Sequence, residues 1–284
     1  MINRLGVVGS GNVGSALLME LAANHSDCFG ELEITARDEG RAHASVMDVG
    51  SAYPEVASRF EYSDGLSGSY DVVVVTAGVL PGPHLTGEQI LEANFEIAKR
   101  ALASCEAQTL VVIGTPVDVL NEEASKQLSA KAERFIGFGG ELDKARSKFG
   151  LIQSGVQAEP VYAVGEHGPR TIPTYPGEEK YEAVATYATS TLKEIMKKAT
   201  VTRNLATGVQ LGRLVAALSG KKATHCVSVP DPDHHNLSIT WPYEIEGDKL
   251  TKMPLELGSQ AQTRLHELVK VRLARSQTLR PSVQ

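Results

Sequence analysis

The chain has 284 residues, 42% hydrophobic, 22% charged and 5% aromatic, with 26 glycines and 13 prolines. Those proportions give a globular protein of about two domains' length with apolar material for a sizeable core, and exclude disorder, collagen and low-complexity scaffolds. The net charge of −6 argues against a nucleic-acid binder working through a basic surface, and no apolar run approaches the roughly 18 residues that span a bilayer.

The opening residues, MINRLGVVGS, lack the shape of a signal peptide and read as a strand running into a glycine turn. Cys28, Cys105 and Cys226 are odd in number, far apart and without C-x-x-C spacing. Reduced thiols in a cytoplasmic protein are the expectation.

Leu5–Val8 is a short apolar run, followed by Gly9-Ser10-Gly11-Asn12-Val13-Gly14 and then by Ala16, Leu17, Leu18, Leu21 and Ala22 at helical spacing. Further strands read at Leu32–Ala36, Ser58–Tyr62, Asp71–Thr76 and Thr109–Ile113, with helices at Arg41–Ser51 and Thr86–Ser104 between them. The β-branched run Val72-Val73-Val74-Val75 suits a strand buried on both faces. Strands alternating with helices at these lengths imply right-handed βαβ units on a parallel sheet, an α/β, doubly wound, Rossmann-type domain over residues 1–140.

Beyond residue 140 the rhythm changes. Glycine, proline and polar residues crowd Gly150–Gly177, then helices read at Tyr181–Ala199 and Asn204–Leu218. Strands follow at Thr224–Val229, Leu237–Ile245 and Lys249–Met253, and a last helix at Ser259–Arg275. This pattern describes a second, α+β domain over 141–284.

Gly9-x-Gly11-x-x-Gly14 lies directly after a strand and before a helix. The first glycine permits the turn, the second lets the backbone approach a pyrophosphate, and the third lets helix and strand pack closely. The second strand ends Ile34-Thr35-Ala36-Arg37-Asp38, with Ala36 where a ribose-binding carboxylate is usual. Losing that carboxylate, with Arg37 and Arg41 nearby, leans towards NADP over NAD. The alternatives are that Asp38 reaches the ribose and that Arg37 is a solvated charge.

Gly165-Glu166-His167-Gly168 places a histidine among glycines, and Asp143 and Arg146 stand one helical turn apart upstream. A histidine held by a carboxylate is a proton-transfer pair, and an arginine clamps a carboxylate. Each motif alone is as well explained by an exposed loop histidine and an ordinary ion pair. Asp231-Pro232-Asp233-His234-His235 with His225 and Cys226 has no metal-ligand spacing, and no metal is expected there. Trp241 lies in an apolar strand pattern and reads as core.

Taken together, these motifs resemble the lactate/malate dehydrogenase family. GSGNVG, DVVVVTAG, the stretch Gly78–Lys99 with Asn94, Thr115-Pro116-Val117-Asp118, Leu142-Asp143-x-Ala145-Arg146 and Gly165-Glu166-His167-Gly168 occur in the family's order along nearly the whole chain. The resemblance implies that His167 exchanges a proton with the substrate hydroxyl, Asp143 orients it and Arg146 holds the substrate carboxylate. Gly9, Gly11, Asn12, Val13 and Gly14 would cradle the pyrophosphate. Arg37, the Thr76-Ala77-Gly78 backbone, Asn94 and Thr115 would complete the cofactor site. It further implies a homodimer or homotetramer and a small carboxylate as substrate.

The departures matter as much. The family's loop arginine that polarises the substrate carbonyl falls at Gly87, the malate-binding arginine at Pro81 and the carbonyl-binding asparagine at Thr115. The stretch Thr174–Glu182 is shorter than the family's usual insert. His84, in the same loop as Gly87, either replaces part of the lost polarisation or is an exposed histidine. The expectation is an NAD(P)-dependent dehydrogenase for a 2-hydroxy/2-keto carboxylate other than lactate or malate. The alternatives are a catalytically silent dinucleotide-binding sensor and a same-fold enzyme for another substrate class.

Overall fold

A computed structural model describes residues 1–82, 84–157, 159–176, 181–198 and 205–278. The first half runs β1 (Ile2–Val8), α1 (Asn12–Asn24), β2 (Phe29–Thr35), α2 (Glu39–Ala52), β3 (Phe60–Tyr62), β4 (Gly68–Val75), α3 (Gly87–Ala101), β5 (Cys105–Val112), α4 (Val117–Gln127) and β6 (Ala132–Gly137). These six strands lie in the order β3-β2-β1-β4-β5-β6, all parallel.

The valine run of β4 shows why this sheet is covered on both sides. Val72 and Val74 enter one core cluster, while Val73 and Val75 enter the other, as alternation along a strand dictates. Along one row of the sheet, Ile34, Val7, Val74, Val111 and Ile136 are neighbours in register and fully buried. Burying each such side chain contributes roughly 1.5–3 kcal/mol. The chain leaves β1 towards β2 and β3 on one side, while β4 and β5 extend the other. A crevice therefore opens at the carboxyl ends of β1 and β4, where ligands of such sheets bind.

The second half supplies α5 (Gly140–Gln153), β7 (Tyr162–Gly165), β8 (Thr171–Thr174), α6 (Tyr181–Lys198), α7 (Leu205–Leu218), β9 (Ala223–Asp231), β10 (Leu237–Glu246), β11 (Lys249–Lys252) and α8 (Ser259–Thr278). Its strands continue the same sheet. β9 meets β6 antiparallel at Gly137 and Ser228, followed by β10, β7 and β8, with β11 on β10. Only glycine fits at Gly137, because a Cβ there would collide with Ser228 Oγ.

Helix α7 packs on α1 with Gly208 against Ala16 and Gly212 against Glu20, each too close for a Cβ. One large core cluster accordingly includes residues of both halves, from Leu5 and Leu17 to Leu211, Trp241 and Leu265.

The strand expected at Ser58–Tyr62 begins as a short 3-10 helix, Pro54–Arg59, before β3. The sequence pattern missed α4, β6, β7 and β8, and of α5 read only the helical turn from Asp143 to Arg146. Ala199 and Asn204, expected as helix ends, lie outside the described residues, as does 177–180 of the shortened stretch.

Candidate active site

At the end of β1, Gly9 has φ +113, a backbone state that only glycine adopts without cost. Its neighbour across the crevice is the Thr76-Ala77-Gly78 turn. The Thr76 and Ala77 N–H groups both donate to Val8 O, at 2.9 and 2.8 Å, and Thr76 Oγ1 donates to Gly9 O at 2.8 Å. A Cβ on Gly14 would collide with Gly9 O, whereas one on Gly11 would meet nothing within 4 Å. The turn is thus tight on its protein side and open at Gly11.

Helix α1 starts behind this opening with no side-chain cap at Gly11 and no acidic residue in its first turn, so its positive end faces the opening unneutralised. Helix α2 differs: the Asp38 carboxylate caps it by accepting from Arg41 N at 3.0 Å. Arg37 and Arg41 are exposed beside that cap. The open, uncapped glycine turn fits the diphosphate of a dinucleotide, which Gly9, Gly11, Asn12, Val13 and Gly14 would hold.

Asn94 is 2% exposed. Its Oδ1 accepts from Val79 N at 2.6 Å, and its Nδ2 donates to Thr115 O at 2.7 Å. It packs against Gly78 and Gly114 and so braces the cofactor crevice from behind instead of lining it. Thr115 is exposed at the crevice edge.

Between β4 and α3, residues Leu80, Pro81, Gly82, His84 and Leu85 are exposed. Gly87 is the first residue of α3, after a capping box made by Thr86 and Gln89, and a Cβ there would meet nothing within 4 Å. Pro81 and Gly87 carry no charge of their own.

His167 follows β7 and faces α5. Its Nδ1–H donates to Asp143 Oδ2 at 2.7 Å, leaving Nε2 as the nitrogen available to a ligand. The same oxygen accepts from Gly168 N at 3.0 Å and from Thr171 Oγ1 at 2.6 Å, while Oδ1 lies 3.3 Å from Arg146 Nη1. A guanidinium has five N–H donors, so this contact leaves Arg146 capacity for a substrate carboxylate.

Burial alone would pull the imidazolium down. The charge and hydrogen bond of Asp143, with Asp118 behind it, reverse this and hold His167 above its ordinary value. Burial pushes Asp143 up, but His167, Thr171 and Gly168 N–H outweigh it and hold the carboxyl low. Both shifts favour the charged form of the pair, an imidazolium beside a carboxylate, with Nε2–H as its outward proton.

The first half matches the family model described as the lactate/malate dehydrogenase NAD-binding domain, over residues 3–137. That stretch, a little under half of the chain, is similar to the lactate/malate dehydrogenase family. The malate dehydrogenase of Aeropyrum pernix is 32% identical over 179 residues, which are 59% of this chain and 57% of that protein. The L-lactate dehydrogenase of Clostridium perfringens is 31% identical over 179 residues, 58% of this chain and 55% of that one. The match thus spans little over half the length of these curated relatives.

The likeness of the fold runs over nearly the whole chain. The solved malate dehydrogenase of Aeropyrum pernix superposes with TM-score 0.79 at 25% identity over 98% of both chains. The malate dehydrogenase of Archaeoglobus fulgidus, in complex with NADH, gives 0.78 at 22% identity over 97% of this chain and 99% of that one. Three site neighbours went unassigned in the sequence: Asp118, whose Oδ2 accepts from His167 N at 2.8 Å, Gly139 and Thr171. Asp118 stands in the T-P-V-D motif itself, so a signal for it was present.

Among the described residues no cluster of three His, Cys, Asp or Glu is placed to hold a metal ion. His234 donates instead to Asp231, which Lys252 also pairs at 2.7 Å. Cys28, Cys105 and Cys226 are buried and free, and Trp241 is buried. No helix of the described residues is long and apolar enough to cross a membrane.

Proposed function

We propose that this chain is a nicotinamide-dependent oxidoreductase for a 2-hydroxy/2-keto carboxylate other than lactate or malate. The single observation that carries the reading is the 2.7 Å His167–Asp143 pair with Arg146 on the same carboxylate. On this reading residues 1–140 hold the cofactor and 141–284 hold the substrate. The nicotinamide, when bound, supplies or takes up the hydride. In the reducing direction His167 Nε2–H gives its proton to the developing alkoxide, Asp143 steadies the imidazole, and Arg146 pairs with the substrate carboxylate.

Support for a substrate unlike malate comes from Pro81 and Gly87. With no cation there, a second substrate carboxylate would stay unpaired in a desolvated pocket, which is costly. Losing a charged donor at the Gly87 position costs about 3–4 kcal/mol of transition-state stabilisation, and the exposed Leu80 and Leu85 favour a larger or apolar side group. Ala36 and Arg37 support NADP as the preferred dinucleotide, a preference that Arg37→Ala removes.

The test is a matrix of NADH and NADPH against a panel of 2-keto acids, following loss of reduced-nicotinamide absorbance, with His167→Asn as control. Turnover that disappears in the control supports the dehydrogenase. Cofactor binding by calorimetry without turnover on any acid sinks it and favours the sensor, a reading motivated by the family functions lost at Gly87 and Thr115.

A further inference from the structure

Helix α8 carries a buried arginine, Arg272, which is 4% exposed. Its Nη2 lies 2.6 Å from Glu122 Oε2 and its Nη1 3.5 Å from Glu166 Oε2. Glu122 belongs to α4, and Glu166 immediately precedes His167. One turn before Glu122 on the same helix, Asp118 is 1% exposed and accepts the His167 backbone N–H at 2.8 Å.

A buried arginine left with one carboxylate would be an ordinary ion pair. Here a rigid planar fork, which lysine cannot imitate, joins the C-terminal helix to the loop that carries the acid/base histidine. Burial pushes the Asp118 carboxyl up, and the nearby Arg272 charge is the first influence that opposes this. Glu122 has a second cation in Lys126, at 2.6 Å. Asp118 has no hydrogen-bonded cation of its own, taking instead the His167 N–H and the Thr240 hydroxyl, the latter at 3.1 Å.

We infer that Arg272 is a positioning residue: by holding Glu122, Glu166 and, through its charge, Asp118, it fixes the backbone of Glu166-His167-Gly168 so that the imidazole stays on Asp143. This rests on the dehydrogenase reading for its kinetic consequence, but the clamp itself is a statement about the His167 loop. Arg272 lies well beyond the stretch matched by the family model, residues 3–137.

The experiment compares the full chain with Arg272→Met/Glu122→Gln, which removes both charges and leaves no lone carboxylate from that pair, and with Arg272→Lys. Hydrogen exchange is read amide by amide. If Arg272 positions the loop, the His167 and Gly168 amides of the double variant exchange at least about tenfold faster while those of β1 and β4 keep their rates. Its kcat falls roughly 10–100-fold with KM within about threefold, and NADH affinity by calorimetry is unchanged.

Arg272→Lys shows a smaller change of the same pattern, and it carries the test should the double variant fail to fold. Unaltered exchange at His167 in a folded variant overturns the inference, as does full kcat in the double variant. If the unaltered protein turns over no 2-keto acid, the dehydrogenase reading fails separately, and the exchange rates still decide the role of Arg272.

Discussion

Gly139 and His167 approach so closely that no methyl group fits between them. A Cβ on Gly139 would stand 2.5 Å from the imidazole Cγ and 2.9 Å from its Cβ, with Val117 Cγ1 at 2.8 Å on the same side. Gly139→Ala is expected to push the imidazole off Asp143, lowering kcat about 100-fold with NADH affinity kept. A crystal structure of the variant with an unmoved imidazole would refute the steric account.

The His167–Asp143 pair sets a pH dependence of known direction. His167 is held above its ordinary 6.5, so reduction of a keto acid, which consumes the imidazolium proton, declines only as pH rises through that elevated value. Asp143→Asn removes the charge that raises it, and the falling limb moves to lower pH. Profiles of kcat/KM measured from pH 5 to 10 read the difference.

The same pair contributes to stability in both directions. The His167 part is fully present below 6.5 and lost as pH rises through the elevated value. The Asp143 part is present above 3.8 and lost as pH falls through its depressed value. Between 3.8 and 6.5 both are present in full. His167→Asn is expected to lose roughly 10²–10⁴ in turnover, read against the same substrate that the unaltered protein uses.

Gly11 and Gly14 separate folding from binding. A Cβ on Gly11 meets only open space, while one on Gly14 meets Gly9 O. Gly11→Ala should keep the melting temperature and lose dinucleotide binding. Gly14→Ala should lower both. Thermal melts with and without NADH distinguish them, and a Gly11→Ala protein that binds NADH normally would place the diphosphate elsewhere.

Asn121, with no exposed surface, shares its two Nδ2 N–H groups among Phe135 O, Ser228 O and Ser238 Oγ at 3.1–3.3 Å. Asn121→Leu leaves those acceptors buried and unmet, at about 1–3 kcal/mol for each orphaned group. At roughly 2–4 °C per kcal/mol, calorimetry should show a clear drop in melting temperature. An unchanged melt would mean that water replaces the amide.

The strands β1, β4 and β5 and helices α1 and α3 were legible because apolar spacing and glycine chemistry both point to them. Helix α4 was not, and its burial explains why: Asp118, Asn121 and Glu122 face inward alongside Val117, Leu120 and Ala124, so its buried face does not read as apolar. β7 and β8 have four residues each, too short for a period, and lie within a glycine- and proline-rich stretch. In the site, Asp143, Arg146 and His167 stood out through motif order. Thr171 gave no signal, since a threonine in a strand is ordinary until the fold sets its hydroxyl on Asp143. Asn94, expected at the cofactor, is turned inward by its bonds to Val79 and Thr115.

Helix α4 belongs to the first half by chain order, yet its buried polar side chains bond extensively to the second. Asp118 binds the His167 backbone and Thr240, Asn121 binds Ser228 and Ser238, and Glu122 binds Arg272. The two halves are therefore not interchangeable cassettes. A chimera joined near residue 140 would graft a foreign α4 face onto this His167 loop, and would need Asp118, Asn121 and Glu122 carried across with residues 141–284 to keep the seam intact.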